Sequence, residues 1–104
     1  MDTIKKLYDV LLQRKSADAS SSYVASLYAK GTGKIVNKII EESVETGVEA
    51  FKGDTQKLAA ESADLLFHLM VLWAHHGVTP DDVMNILDTR SGTSGHAEKS
   101  AREK

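Results

Sequence analysis

Two pairs of acidic residues have a spacing that could do chemistry: Glu42 with Glu45 and, sixteen positions after Glu45, Glu61 with Asp64. Within each pair the acids are three apart, which on an α-helix, at about 100° per residue, puts both on one face a turn apart. Glu41 directly precedes the first pair, and Glu49 continues its stripe. Clustered hard oxygen donors without cysteine or a Glu-x-x-His pair suit Mg²⁺ or Mn²⁺, which take carboxylates, water and substrate phosphates. The bland alternative is a solvated helix face, and it stays open for the stripe from Glu41 to Glu49. It fits Glu61 and Asp64 less well. Leu58, Leu65, Leu66, Phe67, Leu69, Met70, Val71, Leu72 and Trp73 fill nearly every other direction of their helix, leaving His68 and His75 on the acid stripe. A helix apolar all round is expected to be buried, and buried acids need cations or hydrogen-bond donors to meet them.

A cationic stripe leads into the acids. No Asp or Glu occurs between Asp18 and Glu41, while Lys30, Lys34 and Lys38 recur every four residues. Lys34 and Lys38 share a helix face with Glu41, Glu42 and Glu45, so ammonium groups would stand beside candidate metal ligands. That arrangement suits a polyphosphate, whose charge is met by cation and lysine together. The structural alternative is a Lys38–Glu42 ion pair, in the less favourable Lys-before-Glu order. His68, one turn after Asp64, could orient that acid, meet substrate, or serve as a hydrogen-bonded core histidine. Contact with terminal helix carbonyls accounts for His75 and His76. Phe51, Phe67 and Trp73 have core spacing, and Tyr23 and Tyr28 are read as packing residues.

The elements that must position these groups are all helical. Apolar residues recur at intervals of three, four and seven, predicting helices over about 3–15, from Ser22 to the Gly31-Thr32-Gly33 stop, from Lys34 to Phe51, from Asp54 or Thr55 to His76, and from Pro80 to about Arg90. Residues 91–104 read as a polar tail. The expectation is an all-α bundle of four to five helices forming a single domain over residues 1–104, with a short Gly53-Asp54 turn making the two acidic helices antiparallel neighbours. A 104-residue chain has too few other apolar faces to cover the 54–76 helix, so a homodimer is expected, with residues such as Leu69 or Trp73 outward at its interface.

Composition narrows the function classes. The absence of cysteine excludes disulfides, Cys-ligated zinc, iron–sulfur clusters and a thiol nucleophile. Thirteen Lys plus Arg against fifteen Asp plus Glu argue against broad nucleic-acid binding. The start of the chain has no apolar core of a signal peptide, and no apolar stretch reaches membrane-span length; a cytoplasmic protein is expected. The residues alone leave open an enzyme that acts on a metal-bound polyphosphate, or a dimeric helical scaffold whose acids hold metal structurally.

Glu41-Glu42-Ser43-Val44-Glu45 with Glu61-Ser62-Ala63-Asp64 resembles the EExxE…ExxD signature of the all-α nucleoside-triphosphate pyrophosphohydrolases. The segments 22–31 (SYVASLYAKG) and 63–69 (ADLLFHL), with Gly92-Thr93-Ser94-Gly95 in the tail, are similar more narrowly to the phosphoribosyl-ATP pyrophosphohydrolase family. That resemblance implies hydrolysis of phosphoribosyl-ATP between its α and β phosphates, giving phosphoribosyl-AMP and pyrophosphate in histidine biosynthesis, with Mg²⁺ and a homodimer of helical subunits. By position it implies Glu42, Glu45, Glu61 and Asp64 as metal ligands and Glu41 as a water-orienting base or a group behind the ligands. Phosphate and substrate contacts are expected from Lys30, Lys34, Lys38 and His68. One departure is Ile40, where many relatives carry glycine.

Overall fold

The computed structural model describes residues 2–91, all of whose regular elements are helices. They are α1 (Thr3–Gln13), continued by a 3₁₀ turn (Arg14–Ser16), α2 (Tyr23–Lys30), α3 (Thr32–Lys52), α4 (Thr55–His76) and α5 (Pro80–Ser91). The tail beyond residue 91 lies outside the described residues. No described helix is long and apolar enough to cross a membrane.

Local signals set these boundaries. Ser22 Oγ accepts from the Ala25 N–H and starts α2, and Asp54 Oδ1 accepts from the Lys57 N–H to start α4. Thr79 and Asp82 exchange backbone-to-side-chain bonds in a reciprocal cap ahead of α5, with Pro80 at its first position. Gly31 alone joins α2 to α3; its φ of +90° is a conformation that a side chain would oppose, and its carbonyl receives the Ile35 N–H of the next helix. Thus α3 starts at Thr32, two residues before the expected Lys34.

α3 and α4 form a long antiparallel pair, and α1 and α2 pack across one half of it. The core lies there, where Leu11, Leu27, Ile35, Met70 and Val71 are almost fully buried. Two tyrosines tie it together through hydroxyl bonds, Tyr8 to the Val78 carbonyl at 2.6 Å and Tyr28 to the Leu11 carbonyl at 2.7 Å. Three expectations about packing need correction. Phe51 is not core: it is 96% exposed, on the same uncovered stripe of α3 as Ile40, Val44 and Val48 and away from the face that buries Ile35. Helix α4 is not buried all round, since Ala59, Ala60, Ala63, Asp64 and Leu66 face outward. Leu69 and Trp73 are half-buried, Trp73 against the core; uncovered apolar residues lie instead along α3, at Val36, Ile40, Val44, Val48 and Phe51, and on α5, at Met84, Ile86 and Leu87.

Candidate active site

The antiparallel register brings Glu42 and Glu45 of α3 against Glu61 of α4, and one carboxylate oxygen from each lies within 4.8 Å of the others. Glu42 is only 8% exposed. Its Oε2, the Oε2 of Glu61 and the Oε1 of Glu49 are buried without a hydrogen-bond partner. Buried, uncompensated carboxylate oxygens are costly, and a hard divalent cation is the partner their chemistry fits. The Glu61 carboxyl is pushed up to about 7: its protonated form hydrogen-bonds Glu45, burial adds to this, and repulsion from Glu45 and contacts with Glu42 add more.

Asp64 does not join this convergence. Its carboxylate is exposed, and its contribution to the neighbourhood is a backbone carbonyl 2.8 Å from His68 Nδ1. His68 is 6% exposed, and its Nε2 lies 2.9 Å from the Tyr23 hydroxyl. A carbonyl can only accept, so Nδ1 donates to it; with the ring in its neutral form, Nε2 then accepts and Tyr23 donates its phenolic proton there. Both ring nitrogens are thereby committed, and the polar atom nearer the surface is the Tyr23 oxygen. Burial raises the Tyr23 pKa; Lys38 opposes this, while Glu42, Glu41 and Asp64 reinforce it, so the phenol lies within the field of the acidic end.

Lys38 pairs with Glu41 at 3.5 Å rather than with Glu42, which is turned inward. Burial pulls the Lys38 ammonium down, but Tyr23, Glu41 and Glu42 together outweigh it and leave its pKa raised. Lys34 is exposed on the first turns of α3, and Lys30 is exposed at the end of α2, across the Gly31 joint from the other two lysines. His75 stacks on Tyr28 with ring centroids 5.7 Å apart, and His76 Nε2 meets Thr32 Oγ1 at 3.0 Å, so neither caps helix carbonyls through its ring as expected.

Tyr23 and Glu49 were the residues the pattern undervalued. Tyr23, one turn before the buried Leu27, borders the apolar face of α2 yet is 52% exposed, and no periodic signal marks it; Glu49, one turn past Glu45, extends the same acidic row.

Residues 4–91 match the phosphoribosyl-ATP pyrophosphohydrolase family. The chain belongs to that family. It is 52% identical over 100 residues to the phosphoribosyl-ATP pyrophosphatase of Azospirillum brasilense, a match covering 96% of this chain and 90% of that one. It is 53% identical over 102 residues to the protein of the same name from Rhizorhabdus wittichii, covering 98% and 96%. The Rhodospirillum rubrum phosphoribosyl-ATP pyrophosphatase is 50% identical over 103 residues, covering 99% and 88%. The phosphoribosyl-ATP pyrophosphohydrolase family is one of hydrolases, and the converging carboxylates of α3 and α4 suit such chemistry.

Proposed function

We propose that the chain hydrolyses phosphoribosyl-ATP at the α–β anhydride to phosphoribosyl-AMP and pyrophosphate, in histidine biosynthesis, as a cytoplasmic enzyme. The observation that carries the reading is the trio Glu42, Glu45 and Glu61, converging within 4.8 Å, with one buried, unpartnered oxygen on each of Glu42 and Glu61. These three would hold Mg²⁺, or Mn²⁺ in its place, with Asp64 completing the set by turning inward from its exposed position. Such a cation, when bound, supplies Lewis-acid neutralisation of phosphoryl and pyrophosphate oxygens. The residues do the rest by position and charge. Lys38, held by Glu41, and Lys34 meet the phosphate oxygens on which negative charge accumulates as pyrophosphate departs; Lys30 meets the distal phosphates. Water adds to the α phosphorus, the bond to the bridging oxygen breaks, and Glu41 accepts the water's proton. His68 acts through Tyr23, since its ring has no free nitrogen.

The same reading includes a homodimer. Ile40, Val44, Val48 and Phe51 fall within about 80° of one another on α3, an arc separate from its acids. All four are exposed, which gives a second copy an apolar stripe to cover. Ile40, on this stripe, faces away from the ligands, so its departure from the family pattern leaves the acidic row intact.

Incubating the purified chain with phosphoribosyl-ATP and Mg²⁺ should release pyrophosphate, with ordinary nucleoside triphosphates turned over far more slowly. Equal turnover of ordinary triphosphates would favour a nucleotide-pool enzyme. Absence of any pyrophosphate would favour a metal-bearing scaffold.

A further inference from the structure

A cavity of about 480 Å³ opens at the N-terminal end of α2, lined by Arg14, Ser21, Ser22, Tyr23, Val24 and Phe67 among others. Its volume is in the range of ligand clefts, roughly 300–1,000 Å³. Arg14 is the one charged residue among those lining it, and no acid is paired with it among the described residues. The nearby Asp18 is turned into its own loop, accepting the Ser20 N–H at 3.0 Å. Ser22 Oγ occupies the Ala25 N–H, while the N–H groups of the cavity residues Tyr23 and Val24, as at any helix start, have no carbonyl within the helix to meet. A guanidinium, a helix N-terminus and serine hydroxyls thus face one concave space. The contrast with the cavity between α1 and α5 is informative, because there Lys5 is offset by Asp9 and Asp81.

Tyr23 connects this cavity to the carboxylate end. It lines the cavity, and its hydroxyl crosses to His68 on α4, inside the field of Lys38, Glu42, Glu41 and Asp64. Its single proton is committed to His68 Nε2, so its oxygen can only accept. That is the wrong polarity for a phosphate and the right one for a sugar hydroxyl. Going from one end to the other, the surface offers carboxylates and lysines for a polyphosphate, an acceptor for a hydroxyl, and an unpaired arginine for a second anion.

We propose that the cavity at the head of α2 is the subsite for a sugar phosphate at the far end of the substrate from its polyphosphate, with Arg14 and the start of α2 taking the phosphate and Tyr23 taking a sugar hydroxyl. This rests on the proposed substrate, since phosphoribosyl-ATP has those two anionic ends. The subsite explains how a small enzyme separates that substrate from an ordinary nucleoside triphosphate, which has only one.

The test compares wild type with Arg14→Gln, an exposed substitution on a surface turn that leaves helicity and melting temperature unchanged. KM for phosphoribosyl-ATP should rise about tenfold with little change in kcat, as expected for losing one charge-assisted phosphate contact that is equal in ground and transition states. In calorimetric titrations of the full chain, phosphoribosyl-AMP should lose about tenfold in affinity and AMP should lose none. Tyr23→Phe should weaken phosphoribosyl-AMP more than AMP as well. Unchanged KM and unchanged phosphoribosyl-AMP binding in Arg14→Gln would overturn the subsite, as would equal losses for both nucleotides. Failure of the substrate reading is separate: wild type would then release no pyrophosphate from phosphoribosyl-ATP, and its affinities for phosphoribosyl-AMP and AMP would be equal, which overturns the subsite too. Pyrophosphate release with an indifferent Arg14 overturns the subsite alone.

Discussion

The two halves of the α3–α4 pair are built from the same kind of helix and do opposite things. In the half that α1 and α2 cover, Ile35, Met70, Val71 and Ala74 are fully buried, and the hydroxyls of Tyr8 and Tyr28 tie the helices together. In the other half, Glu42 and Glu45 converge with Glu61 across the same interface, and the Oε2 atoms of Glu42 and Glu61 are buried with no hydrogen-bond partner among the described residues. One half gains free energy by removing hydrocarbon from water; the other gives some up by crowding like charges. A small domain can thus place a reactive site where a stable apolar half holds two long helices in register and their continuation carries carboxylates that would not stay together unaided.

The sharpest way to break this contrast is to damage the apolar half. Met70→Ala should cost about 2–5 kcal/mol of stability by leaving a cavity in a fully buried position. Urea denaturation would show this, while kcat of the folded protein stays near wild type. Glu42→Gln or Glu61→Gln should do the reverse. Turnover should fall by at least about a hundredfold, the scale of losing one electrostatic stabiliser, and the metal-free protein should be no less stable than wild type. A marked drop in melting temperature would show instead that these acids hold the fold together.

How much of this was legible in the sequence depended on whether the cause was local. The start of α2 at Ser22, the Asp54 cap and the Thr79–Pro80–Asp82 signal are set by neighbours in the chain, and the structure has them where the pattern indicates. The acidic faces of α3 and α4 were visible for the same reason, because helical period alone determines them. Phe51 shares its period with Ile40, Val44 and Val48, and all four are exposed, since periodicity does not record which apolar stripe of a helix its neighbours cover. Spacing likewise could not separate Glu61 from Asp64: which of two acids one turn apart meets α3 is decided by the register and rotation of the pair. The Tyr23–His68 contact spans 45 positions and leaves no local trace.

A smaller effect follows from protonation. The Glu61 carboxyl is raised from an ordinary 4.5 to about 7, so the folded metal-free chain holds its proton more tightly than the unfolded chain does. Its contribution to stability is complete below about pH 4.5 and is lost as pH rises to about 7. The melting temperature of the metal-free protein should therefore carry a component that falls across that window, and Glu61→Gln should remove it. An identical pH profile for the two proteins would contradict the crowding of these acids.

The smallest stability effect is expected at the uncovered tip of α3. Phe51→Ser should change the stability of an isolated subunit by no more than about 0.5 kcal/mol, because the ring is exposed. Sedimentation should nevertheless show less dimer for this variant, as a stripe that is idle in one subunit is used between two.

Calorimetric titration of Mn²⁺ into the metal-free full chain measures directly whether the acidic half of α3–α4 is a divalent-cation site. Wild type should bind saturably, and Glu61→Gln should bind at least about tenfold more weakly, since even groups behind a ligand are worth tenfold or more. Equal affinity in the two proteins, or no binding by wild type, would contradict a cation site there.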